Sequence, residues 1–195
     1  MADVLELLPR SILRKPLVLD DRGLTLGKKH IAWDDVEFYT YSIDDGLIVG
    51  DIYVISKSDV FARIDRRYHT WQLAADRILA ELHPRLRADP DFFPFRLDAE
   101  SLHHVVAGDL PLAEIERVEL VHGPSIAVVQ RGIKRDWTRD ALETVHDSVL
   151  FLEELAARGV AVTSSISIWL PPSSQDLADA LARAANLPSA RLVRR

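Results

Sequence analysis

Cysteine is absent from this chain, which excludes disulfides, thiolate metal sites and cysteine nucleophiles and leaves His, Asp and Glu as metal ligands. No stretch approaches the ~20 consecutive apolar residues that a membrane-spanning helix requires. The first residues, MADVLELLPRSILRKP, carry acids where a secretory signal needs bases, and Glu6, Pro9 and Arg10 interrupt their apolar positions. A soluble, cytoplasmic protein is the expectation. Positive charge is in short supply: a net charge of -6 and a pI near 5.6 oppose a function built on holding phosphate backbones, so no nucleic-acid partner is expected. Catalytic signatures are missing too. There is no HExxH zinc pattern, glycine-rich phosphate loop or Gly-x-Ser-x-Gly elbow. What remains is an ordinary globular composition, 48% hydrophobic and 28% charged over 195 residues, enough for one large domain or two small ones.

The chain does contain a degenerate internal repeat. Pro16, Leu19, Asp20 and Leu24 recur as Pro94, Leu97, Asp98 and Leu102, each 78 residues later. After one inserted residue, Trp33, Asp35 and Val36 recur as Leu112, Glu114 and Ile115. The pattern describes short strands leaving a turn, with Gly23 suited to positive φ and Asp20 or Asp21 bonding its own backbone. LTLGKKHIAW alternates about Gly27-Lys28 and predicts a hairpin. Val36, Phe38 and Thr40 continue the period of two, as do Val118, Leu120 and His122.

Helical spacing closes the first copy: Trp71, Ala74, Ala75, Ile78, Leu79 and Leu82 form one stripe, with Thr70 as the cap and Pro84 as the stop. SSQDLADALARAANLP, capped at Ser174 with a Leu177, Ala180, Leu181 and Ala184 stripe, is expected to close the second. Between them, Leu142, Val145, Val149, Leu152 and Leu155 predict an inserted helix over about 137–158, starting near Asp136 or Thr138 and stopping at Gly159. Pro90 and Pro94 mark the joint. The expected division is an N-terminal segment 1–12, a first unit 13–88 and a second unit 92–195.

Short antiparallel strands, a Trp33-Asp34-Asp35-Val36 strand and a closing amphipathic helix resemble bacterial domains of the pleckstrin-homology-like fold. The second copy departs from that pattern in having Leu112 for the tryptophan and no glycine in Ala99-Glu100-Ser101. The resemblance implies an α+β protein of two tandem antiparallel β-sandwich or barrel units, each closed by a C-terminal helix. Many eukaryotic members of this fold hold phosphoinositides on basic residues of the first hairpin, which corresponds here to Lys28, Lys29 and His30. Bacterial members are not, as a class, lipid readers, and the acidic net charge makes a membrane surface an unfavourable partner.

Adjacent Asp34 and Asp35 point to opposite faces of a strand and cannot share one metal or proton, and Asp44-Asp45-Gly46 is a turn composition. The histidines, including His103 and His104, are scattered. No catalytic residue, metal site or cofactor is therefore expected. Arg63, Arg66 and Arg67, near Tyr68 and Trp71, form a second candidate anion site at the start of a helix, unless they pair with Asp59, Asp65 and Asp76. The resulting expectation is a non-enzymatic protein or peptide interaction module, using an open sheet edge or forming a homodimer through the inserted helix. Two alternatives stay open: anionic-lipid binding through Lys28 and Lys29, and a small α/β enzyme in which SIAVVQRG, the helix and GVAVTSSISIWL form a β-α-β unit.

Overall fold

The alternating stretches fold into short strands that pair with their neighbours in sequence. The structure, a computed structural model, describes residues 4–11, 15–43, 50–58, 60–166, 170 and 172–184. The first half builds a sheet from β1 (Leu5–Leu7), β2 (Leu17–Leu19), β3 (Gly23–Leu26) and β4 (Lys29–Ala32), in that order. A second sheet follows from β5 (Val36–Ile43), β6 (Gly50–Ser56) and β7 (Phe61–Ile64), and then α1 (Trp71–Leu86). The second half repeats the order with β8 (Phe95–Leu97), β9 (Ser101–His104) and β10 (Gly108–Pro111) in one sheet. Its other sheet has the order β13-β12-β11-β14, from β11 (Ile115–Val121), β12 (Ser125–Gln130), β13 (Asp136–Ala141) and β14 (Val162–Ser164). Helices α2 (Ser148–Ala157) and α3 (Gln175–Ala184) complete it. The fold is α+β with mostly antiparallel sheets, and no sheet among the described residues closes into a barrel.

The repeat extends to hydrogen bonds. Asp20 accepts from the amides of Arg22 and Gly23 (2.9 and 3.1 Å), and Asp98 accepts from Glu100 and Ser101 (2.8 and 2.7 Å). The segment read as a Trp-Asp-Asp-Val strand is instead a 3-10 turn at Trp33–Asp35, repeated at Leu112–Glu114. Trp33 is anchored by its backbone amide to Arg22 O (3.1 Å) and by its indole N–H to Asp20 O (2.9 Å). Leu112 keeps only the first bond, to Glu100 O at 2.8 Å, which explains why an aliphatic residue suffices there.

Gly27 sits at φ 64 in the predicted hairpin, whereas Gly23 does not have positive φ. Gly23 is required for a different reason: a Cβ there would lie 2.1 Å from the backbone oxygen of Ile31. Gly23→Ala is accordingly expected to lower unfolding free energy by about 1–3 kcal/mol, measured by urea denaturation, and an unchanged midpoint would show that β3 and β4 separate freely.

Two helix boundaries differ from the spacing-based reading, and at a third, the expected start of α1 after Thr70, the side-chain cap is missing. Thr70 does not cap α1; it takes φ 53, and its hydroxyl donates to His69 O. Helix α1 passes through Pro84 to Leu86: the proline lacks one ladder N–H, and the ladder resumes with Arg87 N bonding His83 O at 3.0 Å. The inserted helix does not begin at Asp136 or Thr138, since 136–141 is β13, paired antiparallel with the buried β12. Leu142 and Val145 lie in and just after a 3-10 turn, which also spaces apolar groups three residues apart. Gly159 does end α2, at φ 82.

These boundaries change which helix answers to α1. Asp147 before α2 and Thr70 before α1 are the two non-glycine residues with positive φ among those described, 77 positions apart. Helix α2 therefore occupies the closing position in the second half, and β14 and α3 are the addition. Ser174 forms no side-chain bond that caps α3. The expected β-α-β unit is also altered: β14 pairs parallel with β11, not with β12, which runs antiparallel to both. One hydrophobic cluster spans both halves, from Leu17, Trp33 and Ile78 to Phe95, Val128 and Phe151.

Candidate functional site: a cleft along an open sheet edge

The residues singled out for anion binding fall on the outer face of the first half. Lys29 lies over the Phe61 ring (4.9 Å), His30 Nδ1 meets Thr25 Oγ1 at 2.9 Å, and Lys28 is exposed in the turn. Arg63 and Arg67 both bind the buried Asp65 carboxylate, and Arg63 also bonds Asp51 while lying 5.4 Å from the Tyr53 ring centroid. Asp65 also accepts from the Arg67 amide at 2.8 Å, so two of the candidate arginines are engaged with the chain's own carboxylates. Arg66 is exposed, and Asp76 bonds Ser173. Asp44, Asp45, Gly46 and Asp59 lie outside the described residues. Asp34 pairs with Arg85.

Among the described residues no group of three or more acids and histidines converges on a metal position. His103 illustrates why. Asp98 and Asp109 approach its opposite nitrogens, each at 2.6 Å, so the carboxylates diverge around the ring and cannot enclose one ion. Those bonds raise the pKa of His103, and the His103 bond followed by the Glu100 and Ser101 amides lowers that of Asp98 to about 2.

A concavity of about 960 Å³ lies within the second half, and a cleft of about 780 Å³ lies between the halves. One wall is the 3-10 turn at Trp33 with the end of α1; the other is the Asp89–Phe93 joint followed by β8. Its lining combines Trp33, Leu86, Phe92 and Phe93 with the bases Lys57, Arg85 and Arg96 and the acids Asp34, Glu37, Asp89 and Asp91. Phe93 is half exposed at the mouth, beside the exposed Val105 and Val106 of the β9-β10 hairpin. His104 fixes that hairpin tip, accepting the amides of Val106 and Ala107 (3.2 and 3.0 Å).

Strand β8 is a sheet edge with β9 as its single partner. The bonds from Val105 N to Pro94 O and from Asp98 N to Ser101 O fix the register, so Arg96 exchanges backbone bonds with His103. Phe95 and Leu97 then direct their amides and carbonyls away from β9, on the side of the strand that faces no other strand. The Phe95 amide is taken by Phe92 O at 2.7 Å; Leu97 N–H, Leu97 C=O and Phe95 C=O have no partner among the described residues.

A polar junction also joins the halves. Tyr39 O accepts the Asp147 amide (2.8 Å), and Asp147 Oδ1 accepts the Tyr39 amide (3.0 Å). The Tyr39 hydroxyl accepts the Leu150 amide at 3.1 Å and so donates to His83 Nε2 at 2.8 Å. That places the imidazole proton on Nδ1, facing Glu153 Oε2 at 3.4 Å, and Arg87 binds the same oxygen at 2.8 Å. Burial raises the pKa of Tyr39 well above its usual value, with the Asp147 charge adding to it. Burial likewise pushes Asp147 up to about 7, partly offset by the Tyr39 amide and reinforced by the charge of Asp91.

No protein-family model matches this sequence, and none of the curated proteins does. Geometry therefore carries the functional reading. Sequence reasoning missed Phe93, Arg96 and Leu97, although a signal was present: the first copy is preceded by Leu5-Glu6-Leu7, and nothing of that pattern stands at the matching distance before the second.

Proposed function

We propose that this chain is a non-enzymatic, cytoplasmic interaction module of two tandem pleckstrin-homology-like units, and that it takes an extended peptide in the cleft between them. The observation that carries the reading is the free edge of β8 along a cleft with an aromatic lining. Unpaired strand amides and carbonyls supply main-chain affinity to any extended segment, while neighbouring apolar side chains select its sequence. In support of the tandem reading, each half contains three strands, a 3-10 turn, three strands and a helix in that order, with β1 added ahead of them in the first half and a 3-10 turn before α2, then β14 and α3, added in the second. No helix among the described residues is long and apolar enough to cross a membrane.

Selection from a random peptide display library on the full chain tests the proposal. Enriched peptides are expected to lose at least about tenfold in affinity for Leu97→Lys, which places a charge beside the free edge, with little change for the distant Lys28→Ala. Enrichment of no peptide, or peptides indifferent to Leu97→Lys, would remove the cleft as the site.

A further inference from the structure

The two halves differ at one position that defines the ligand. In the first half the strand equivalent to β8 is β2, 78 residues earlier, and its outer edge is occupied. Strand β1 pairs with it antiparallel, Leu5 opposite Leu19, Glu6 opposite Val18 and Leu7 opposite Leu17. The parity is the same in both halves: Asp20 N bonds Gly23 O (3.1 Å) as Asp98 N bonds Ser101 O (3.1 Å), so Leu17 and Leu19 turn their backbone groups outward as Phe95 and Leu97 do. Leu19 is buried under β1, whereas its counterpart Leu97 is only partly buried. The chain itself fills part of the second position. Phe92 O takes the Phe95 amide, and His146 N bonds Phe93 O (2.8 Å) as His69 N bonds Leu8 O (3.0 Å), so Phe92 and Phe93 stand where Leu7 and Leu8 stand in the first half. Nothing among the described residues stands where Leu5 does, beside Leu97, and this is the cleft.

We infer that the cleft is the vacant part of the β1 position of the second half and that its ligand is an extended segment of another protein with the chemistry of Leu5-Glu6, apolar beside Leu97 and acidic beside Arg96, added antiparallel to β8. This rests on the cleft being the docking site. The apolar requirement follows from Leu97, whose side chain faces inward as that of Leu19 does in a cleft that Leu86 also lines, while Phe92 already fills the place of Leu7. The acidic requirement follows from Arg96. It replaces Val18, it is exposed, and it has no acidic partner among the described residues, while its cross-strand neighbour His103 is already paired with Asp98 and Asp109. A ligand residue alongside Arg96 therefore meets an exposed guanidinium that none of the described acids engages, and opposite charges across a strand pair attract. The same arginine opposes β8 pairing with a second copy of itself, because antiparallel self-addition centred on Arg96 would set two guanidinium groups side by side.

The test uses the full chain and a fluorescein-labelled peptide of its own residues 4–10, Val-Leu-Glu-Leu-Leu-Pro-Arg, beside a version with Lys for Glu. The Glu peptide is expected to bind about fivefold more tightly than the Lys peptide, with the order reversed in Arg96→Glu, and the Leu97 amide is expected to gain protection from hydrogen exchange. Equal binding of both peptides in both proteins, with Leu97 protected, would overturn the acidic requirement while leaving the cleft as a peptide site. Binding without Leu97 protection would overturn strand addition. Failure of both peptides while display-selected peptides still compete at the cleft would overturn the likeness to β1, and failure of every peptide would sink the reading of the cleft itself. Dimerisation of the chain at micromolar concentration, abolished by Glu6→Lys, would replace the foreign ligand by the β1 of a second copy and overturn the assignment to another protein.

Discussion

Asp147→Asn is expected to stabilise the protein at pH 8 by about 2 kcal/mol and to flatten its stability profile between pH 4 and pH 7. Asp147 is fully buried, and its Oδ2 has no hydrogen-bond partner. With a folded pKa of about 7 against 3.8 when unfolded, the native state holds a proton that the unfolded state has released throughout that interval. Stability due to this group is therefore complete below pH 4, falls as pH rises, and reaches its low plateau above pH 7. The shift corresponds to at most about 4 kcal/mol, reduced in the variant because an unpaired Asn amide also costs something. Asparagine keeps the oxygen that accepts the Tyr39 amide, and it tolerates the φ of 46 at this position. Urea unfolding at pH 5 and pH 8 decides the matter: an equal slope with pH in the two proteins would mean that Asp147 titrates normally in the folded state.

Phe151→Ala is expected to cost about 3–5 kcal/mol and to destabilise both halves together. Phe151 is fully buried in α2, stacked on Phe95 (4.8 Å between centroids) and tilted against Phe92 (5.3 Å). Those two phenylalanines belong to the joint and to β8, so the ring connects the second half's helix to the cleft wall. Because the core cluster is continuous across the halves, tryptophan emission, to which Trp33 and Trp71 contribute from the first half, should change in the same transition as far-UV circular dichroism. Two separated transitions, with the tryptophan one unmoved by the substitution, would show that the halves fold independently.

Much of the local structure was legible in the residues. The Asp20 and Asp98 turns, the Gly27 hairpin and the Gly159 stop depend on bonds or φ values within a few residues, and the stripe of α1 is buried in full. Errors came where one spacing serves two structures. Leu142 and Val145 suit a helix and a 3-10 turn equally, and Thr70 and Ser174 look like caps but make no capping bond. The candidate site was the least legible. Arg63 and Arg67 drew notice as a basic cluster with Asp59, Asp65 and Asp76 as possible partners, and it is the buried Asp65 that holds both. Leu97 and Arg96 looked like ordinary strand residues, since the pairing of a strand edge is not written in the strand.

The sequence alone determined that this protein has no thiol chemistry, that it is α+β, and that it contains the same arrangement twice, because periodicity and turn chemistry act over short distances. Tertiary structure decided which helix closes the second copy and which edge is left bare. Those outcomes depend on what packs beside β2 and β8: eleven residues (6 through 16) separate Leu5 from Leu17 and let β1 fold back over β2, while the short Phe92-Phe93-Pro94 turn before Phe95 covers one end of β8 and leaves Leu97 open.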